Sequence, residues 1–515
     1  MTDLAPIRSN KLFSLQNVGI SLSDFKRESV RMESDKYIVA REKKNNIAII
    51  NVANPNVVER VPFSVEILSV IMHPTEKFWL LKNVQIKAFT VKKAVDFWTW
   101  INSNTIGFVT KTSIYHWALD DDSEPTRVCL RSPYLTSKTI TNYQSNADGR
   151  FLLLVGVEKT KNGRTDGSIQ LFGKGKFIYQ SIEAHAGCFV QFKMEGSPDP
   201  INLLCYSLNK SGKGKLTIKE LKTPTRNKQY TKKSVDFVYS DDFSESFPLS
   251  MQASSAYGIL YMITNHGHVH VFEIETGCLI YTVRISTDTI FITTEHTSNN
   301  GVLGINRAGQ VLSVCLDETT VIPYVTQQLQ NPDLALKLAC RCNLPGAEEL
   351  FVRKFNLLIG NGNYPEAAKV AATAPQNILR TPQTLQKFQV AVPQGKATYP
   401  LLIYFNALLE QGPLNKYESL ELCRPVLVQG KKQLVEKWIS ENKLECSEEL
   451  GDLVKQYDVD LATSIYLRGN VSYKVYRSLG DVLREHSPTR SRIGSSSGED
   501  QNSSKVGPNE WVDFK

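Results

Sequence analysis

Three histidines within five residues, His266, His268 and His270, are the residues of this sequence best spaced to do chemistry. On an extended strand His268 and His270 share a face, His266 falls in the turn before them, and imidazoles so placed can hold zinc. No Asp, Glu or Cys at ligand spacing joins them, and an ordinary strand accounts for the same residues. Two glycine-lysine clusters, Gly173 to Lys176 and Gly212 to Lys215, have the residue types of a phosphate loop but not its GxxxxGK[ST] order, so they read as hairpin turns. No HExxH, GxSxG or Cys-His pairing stands in a convincing strand-turn-helix setting. The nine cysteines, an odd number without a CxxC pair, argue against a disulfide framework and a zinc ribbon. Cys340 and Cys342 lie two apart on a predicted helix, where side chains diverge by about 200° and cannot share a metal. The expectation is a protein that is not an enzyme and uses no metal or cofactor.

The elements around these residues set the frame. A chain of 515 residues exceeds one ordinary core, and 41% hydrophobic with 22% charged residues is globular composition. No basic and apolar leader opens the chain, and no apolar run approaches the roughly 18 residues of a membrane span, so a soluble, unexported protein is expected. The net charge of +8 comes from lysines dispersed over loops, as in Lys159 to Arg164 and Arg226 to Lys233. Without interleaved aromatic residues these do not suggest a nucleic-acid partner.

From about Ile47 to Cys315 short strand-like runs alternate with Gly, Asn and Asp turns. Equivalent strands begin near Ser113, Ser168, Lys215, His268 and Gln310, spacings of 55, 47, 53 and 42 residues. That is the period of propeller blades, in which radial closure protects strand edges. The interval from Val84 to Ser113 is only 29 residues, so one blade near the front is expected to lack a strand. A propeller enzyme would need acidic or His residues converging on the central channel, and the sequence alone leaves that open.

After Asp317 the period changes to 3.6. Ala347, Leu350, Phe351, Phe355 and Leu358 make one helical stripe closed by Gly360, and Asn363 caps the next helix, with Pro365 in its first turn. Further helices are predicted at about 383–390, 399–411, 416–429, 431–442, 447–457 and 459–468, the grammar of an α-solenoid of helical hairpins. The fold class is thus mixed all-β plus all-α: a propeller over 1–317, an α-solenoid of helical hairpins after it and a tail over 476–515. The tail is polar nearly to its end, a composition expected to be disordered.

Eight stretches carry a family resemblance: Met32-Glu-Ser-Asp-Lys-Tyr37, Tyr115-His-Trp117, Gln191-Phe-Lys-Met-Glu-Gly196, Asn331-Pro-Asp-Leu-Ala-Leu336, Gly346-Ala-Glu-Glu-Leu-Phe351, Glu366-Ala-Ala-Lys-Val-Ala-Ala372, Lys416-Tyr-Glu-Ser-Leu-Glu-Leu-Cys-Arg-Pro425 and Leu444-Glu-Cys-Ser-Glu-Glu-Leu-Gly451. Together they resemble clathrin heavy chain from the N-terminus to about Asn470. The resemblance implies a seven-bladed propeller, a helical linker over 318–382 and, over 383–475, the start of the leg solenoid. It also implies a cytoplasmic protein of vesicle-mediated transport, peripheral on coated pits and coated vesicles and reaching membranes only through adaptors. Grooves between blades would take extended peptide motifs of endocytic adaptors and arrestins, weakly per site and strongly in a coat of many copies.

Departures from the family pattern modify these expectations. At the family's first groove a strand reading about Thr-Leu-Gln-Ile-Phe, followed by Lys-x-Lys, is replaced by Lys82-Asn-Val-Gln-Ile-Lys-Ala-Phe-Thr90, shorter by about a dozen residues, roughly one strand and its turn. Arg60 and Gln85 remain as polar groups of that degraded clathrin-box groove. In the second groove Arg27, Thr139 and Thr141 stand where the family has Phe, Gln and Ile. The third, arrestin-type groove keeps its character in Phe151, Leu171, Lys176, Gln180 and Ile182, although Leu171 and Ile182 also suit a strand core. Near the end of the sequence Trp511, Val512 and Phe514 resemble the WVxF motif that docks on the appendage of the plasma-membrane adaptor complex. With the family's light-chain and trimerisation segments lacking from these 515 residues, no light chain or trimer is expected. Alternative expectations are a competitor that dampens coat assembly and a propeller-solenoid subunit of an unrelated complex.

Overall fold

A computed structural model describes residues 4–475, except 22–24, 44, 65–66, 68, 77–78, 83–93, 120–123, 175–177, 195–196, 198, 211, 222–229, 240–244 and 392–398. It contains two compact units, residues 1–356 with 373–378 and residues 357–372 with 379 onward.

The first unit is built on four-stranded antiparallel sheets whose burial follows strand position. Middle strands such as Ile259–Thr264 are buried on both faces, whereas an outer strand such as Leu279–Arg284 alternates. Two covered faces demand near-continuous apolar residues, and the outer edge meets water. Along the chain, blade I holds Val30–Arg31, Tyr37–Lys43, Asn46–Asn51 and Asn54–Pro62, and blade II holds Val95–Asn102, Thr105–Thr110, Ser113–Ala118 and Thr126–Leu130. Blade III holds Thr139–Ser145, Phe151–Lys159, Thr165–Gly173 and Ile178–Glu183; blade IV holds Ala186–Phe192, Ile201–Lys210, Lys213–Glu220 and Lys233–Val238. Blade V runs Pro248–Ser254, Ile259–Thr264, His268–Glu273 and Leu279–Arg284. Blade VI joins Ile290–His296, Gly301–Asn306 and Gln310–Leu316 to the N-terminal strand Ile7–Ser14, which pairs antiparallel with Gln310–Leu316 in the register Ile7↔Leu316.

The propeller therefore has six four-stranded blades, a correction to the seven implied by the resemblance. Between blades I and II stands a two-stranded sheet, Ser69–Met72 paired with Trp79–Lys82. The spacing gives the physical reason: inner strands beginning at Val95, Thr139, Ala186, Pro248 and Ile290 are 44, 47, 62 and 42 residues apart, whereas Ser69 to Val95 is 26. The segment at Val84 that signalled this shortfall lies outside the described residues.

The short sheet is packed on both sides. Val70 and Met72 join Val39, Ile47, Ile49 and Ile67 of the blade I side, while Ile71 packs with Trp100 and Ile106 of blade II. Polar ties reinforce the second contact: Trp98 Nε1 donates to Ser69 Oγ at 2.9 Å, and His73 Nε2 meets Ser103 O at 2.6 Å.

Among the described residues ten α-helices follow: α1 (Val321–Gln327), α2 (Pro332–Cys342), α3 (Glu348–Gly360), α4 (Tyr364–Thr373), α5 (Pro382–Val390), α6 (Pro400–Gln411), α7 (Lys416–Val428), α8 (Lys432–Ser440), α9 (Glu448–Lys455) and α10 (Val459–Arg468). The last six agree with the sequence periodicity to within two residues at each end. Asn363 Oδ1 accepts from Glu366 N, as its capping position implied.

Within the first unit α2 is tied to blade V by Arg341. Its Nη1 reaches Glu273 Oε1 at 2.6 Å and its Nη2 reaches Glu275 Oε2 at 2.5 Å, with the guanidinium 4.8 Å from the Phe192 ring centroid. Glu273 is fully buried and also accepts from Thr276 N and Oγ1, so its charge is satisfied only while Arg341 is present. Within the second unit Glu418 plays the same part. It receives Arg380, accepts from Tyr404 OH at 3.1 Å and completes a capping box with Asn415. There α5 packs on α6, α7 on α8 and α9, and α9 on α10, the paired units from which a solenoid is assembled.

Two stability predictions follow from these contacts. Ile71→Ala should cost about 2–5 kcal/mol, read as a lower urea midpoint of the propeller transition; a midpoint unchanged from wild type would mean that the short sheet is not part of the ring's core. Arg341→Ala should cost about 3–5 kcal/mol because it strands the Glu273 carboxylate, and Arg341→Ala combined with Glu273→Gln should recover part of that loss.

Candidate functional site

The arrestin-type residues lie at the seam between blades III and IV, where two sheets meet face to face. Phe151 and Leu171, 5% and 2% exposed, belong to an apolar cluster with Leu153, Val155 and Ile169 of blade III and Leu204 of blade IV. They are the framework of the seam. Ile182, Phe189 and Tyr206 pack against this cluster and are only partly buried, so they are its accessible apolar surface.

A polar rim borders these side chains. Gln180 is exposed on the outer strand of blade III, opposite Leu171 in register, and its Oε1 accepts from Lys219 Nζ of blade IV at 3.0 Å. The same ammonium sits 5.7 Å from the Tyr206 ring centroid, a cation over an aromatic face at the lip of the seam. Further in, Gln144 Nε2 donates to Gly187 O at 3.0 Å. A Cβ on Gly187 would come within 2.9 Å of Ile169 and 3.4 Å of Leu153, so glycine there lets the blades approach. Asn202 Nδ2 joins Asp148 Oδ2 at 3.1 Å across the same boundary.

The structure thus brings together Phe151, Leu171, Gln180 and Ile182 of the five residues singled out. Lys176 lies outside the described residues. Phe189, Tyr206 and Lys219 were not legible in advance, because they come from the next blade and only seam pairing selects them. The one available signal was the blade period itself, which makes Lys219 the residue across from Leu204 in the neighbouring sheet.

The other candidate grooves differ. Arg60 is committed, with Nε on Glu42 Oε2 at 3.0 Å and Nη2 on Gly19 O at 2.9 Å, while Gln85 lies outside the described residues. At the second groove Thr139 is exposed, and Arg27 donates through Nη1 to Thr141 O and through Nη2 to Phe291 O at 3.3 Å. Arg27, which stands where the family has Phe, is thus held by two backbone carbonyls. Trp511, Val512 and Phe514 lie outside the described residues.

The histidine cluster is structural. His270 is buried among Phe237, Tyr239 and Phe272, with Nδ1 2.9 Å from Thr282 Oγ1, and desolvation lowers its pKa to about 4, so it is neutral at pH 7. No group of three or more metal-ligating residues occurs among the described residues, and all nine cysteines are free thiols. The glycine-lysine cluster from Gly212 lies where the antiparallel strands Ile201–Lys210 and Lys213–Glu220 of blade IV meet, as a hairpin turn should, while Gly175 and Lys176 of the other cluster lie outside the described residues. No helix among the described residues is long and apolar enough to cross a membrane.

Comparison with known proteins shows what this framework is similar to. A clathrin propeller repeat matches residues 284–317, a clathrin heavy-chain linker matches 318–341, and a clathrin-H-link matches 343–408. The chain is 48% identical to the probable clathrin heavy chain 1 of Caenorhabditis elegans, over 93% of its own length and 29% of that protein's. It is 47% identical to the clathrin heavy chain of Drosophila melanogaster and 44% identical to human clathrin heavy chain 2, each over 94% of this chain and 30% of the relative. The chain thus spans about 30% of the length of the curated relatives it matches.

The division between framework and rim has a direct check. Leu171→Ala should destabilise the propeller by about 2–5 kcal/mol, whereas Gln180→Ala should shift stability by less than about 0.5 kcal/mol. Equal effects in urea unfolding would contradict the assignment of Leu171 to the seam's core.

Proposed function

We propose that this chain, similar over more than nine tenths of its length to the front part of clathrin heavy chains, is a non-enzymatic coat-type scaffold of vesicle-mediated transport. It grips extended peptide segments at the seam between blades III and IV, and its chain continues beyond the propeller as a solenoid of helical hairpins. The observation that carries the peptide-binding reading is the composition of that seam. Partly buried Ile182, Phe189 and Tyr206 offer apolar purchase to alternate side chains of an extended segment. Gln180 and Lys219 at the lip, with Lys176 nearby in the chain, supply an amide and cations for backbone and carboxylate groups. The fitting occupant is a disordered peptide with aliphatic side chains next to acidic ones, the chemistry of adaptor and arrestin motifs. Such grips are weak singly and gain strength from many copies on one membrane.

In this reading the clathrin-box groove contributes little, since Arg60 is held by Glu42 and Gly19. The protein acts in the cytoplasm at coated pits and vesicles, touching membranes through adaptors, and Trp511, Val512 and Phe514 add an appendage-docking motif. Trp511→Ala would then abolish pull-down by the adaptor appendage.

Fluorescence anisotropy with a labelled acidic, leucine-bearing peptide of the arrestin type tests the seam. Saturable micromolar binding is expected, weakened roughly tenfold or more, equivalent to about 1.4 kcal/mol, by Lys219→Glu and by Lys176→Glu. Absence of saturation, or identical affinities for wild type and both variants, would remove the seam from consideration. A clathrin-box peptide should bind more weakly than the arrestin-type peptide in the same assay.

A further inference from the structure

The inner strands of the six blades surround a cavity of about 200 Å³ on the propeller axis. Its walls are mostly neutral and polar, including Asn142, Gln144, Gln252 and Thr294, yet two arginines face it from the chain entering blade I, Arg27 and Arg31. Both guanidiniums lie over the ring of Phe97, at 5.7 and 5.5 Å from its centroid. Two like charges sharing one ring in a confined space repel each other, and neither forms an ion pair with a carboxylate among the described residues.

The two arginines are not equivalent. Arg27 spans the axis, donating to Thr141 O of blade III and to Phe291 O of blade VI, so part of its donor capacity holds the ring. Arg31 Nε is buried with no hydrogen-bond partner, an unusual state for a charged group. The nearest compensating charges are Glu33 and Glu28. Glu33 lines the cavity, but one of its oxygens is taken up by Thr99 Oγ1 at 2.6 Å and Trp100 N at 3.3 Å, and Glu28 is exposed. Two cations against one engaged carboxylate leave the cavity with an uncompensated positive charge. The pKa of Arg27 is lowered to about 10, through desolvation first and the neighbouring Arg31 second, so it stays charged at pH 7; burial lowers that of Arg31 as well.

We propose that this axial cavity is a binding site for a single oxyanion of the phosphate-monoester type, held by the forked donors of Arg31 with Arg27 beside it. A planar guanidinium presents paired N–H groups that match two oxygens of such an anion, and the anion removes the repulsion between the two cations. The site lies at the axial end of the blade III–IV seam, where Gln144 and Gly187 line it, and takes in Arg27 and Thr141 of the second groove; it does not depend on peptide binding at the lip of the seam.

Isothermal titration of the full chain with inorganic phosphate, at ionic strength matched with sodium chloride, tests the proposal. One-to-one binding is expected, weakened at least tenfold by Arg31→Gln. Glu33→Gln, which keeps an acceptor for Thr99 and Trp100 while removing the opposing charge, should instead tighten binding severalfold. Phosphoserine and acetate titrated in parallel distinguish the source of the anion: phosphoserine binding as well as phosphate points to a phosphorylated side chain, and phosphate alone to a free ion. Absence of saturable binding of phosphate to the wild type would overturn the proposal, as would affinities that neither Arg31→Gln nor Glu33→Gln changes.

Discussion

A four-stranded sheet with two apolar faces has no stable existence alone, and the rest of this molecule depends on the solution to that problem. Each blade covers a face of the next, so the cores are not inside blades but between them. The cluster running from Ala186 and Leu203 to Met251 and Phe272 belongs to blades IV and V together, and the one from Leu15 and Ile38 to Leu303 and Val311 belongs to blades VI and I. The two-strand sheet at Ser69–Met72 is tolerated because Ile71 still faces blade II and Val70 still faces blade I. What the ring needs from that sector is two covered flanks, and a hairpin supplies them.

The same arrangement explains why a seam is where recognition can arise. An interface between blades must be apolar at depth and end in polar side chains where it meets water, which is the profile a weakly held extended peptide needs. Phe151 and Leu171 serve the depth, and Gln180 with Lys219 serve the lip. Ion pairs mark the other fixed points. Arg341 with Glu273 in one unit and Arg380 with Glu418 in the other are charges held in nearly dry surroundings, tolerable only with every partner in place.

Much of the architecture was legible because its signals are local. Strands beginning at Ser113, His268 and Gln310 follow turns rich in Gly, Asn and Thr, and the helices from Pro382 onward show caps and stripes within one or two turns. The shortened sector was equally legible as a spacing, although the count of complete blades came out at six. The site was legible only by half. Leu171 in a groove and Leu171 in a core have the same sequence appearance, because strand periodicity reports burial and not what does the burying. Tyr206 and Lys219 meet Gln180 through the pairing of separate sheets, a relation that no local pattern encodes. Arg27 and Arg31, four residues apart around a short strand, gave no sign that both would turn toward the axis.

The pairing of Ile7–Ser14 with Gln310–Leu316 has a consequence for how the protein is made. Ile7–Ser14 is synthesised some 300 residues before its partner, and at synthesis rates of roughly 5–20 residues per second the wait is tens of seconds. Joining ends some 300 residues apart carries a chain-entropy penalty of about 5 kcal/mol. Until then blade VI lacks its outer edge, and the nascent ring exposes an unpaired strand able to pair with another copy. Molecular chaperones that shield that edge during translation would therefore govern the yield of this protein more than the stability of the finished ring does.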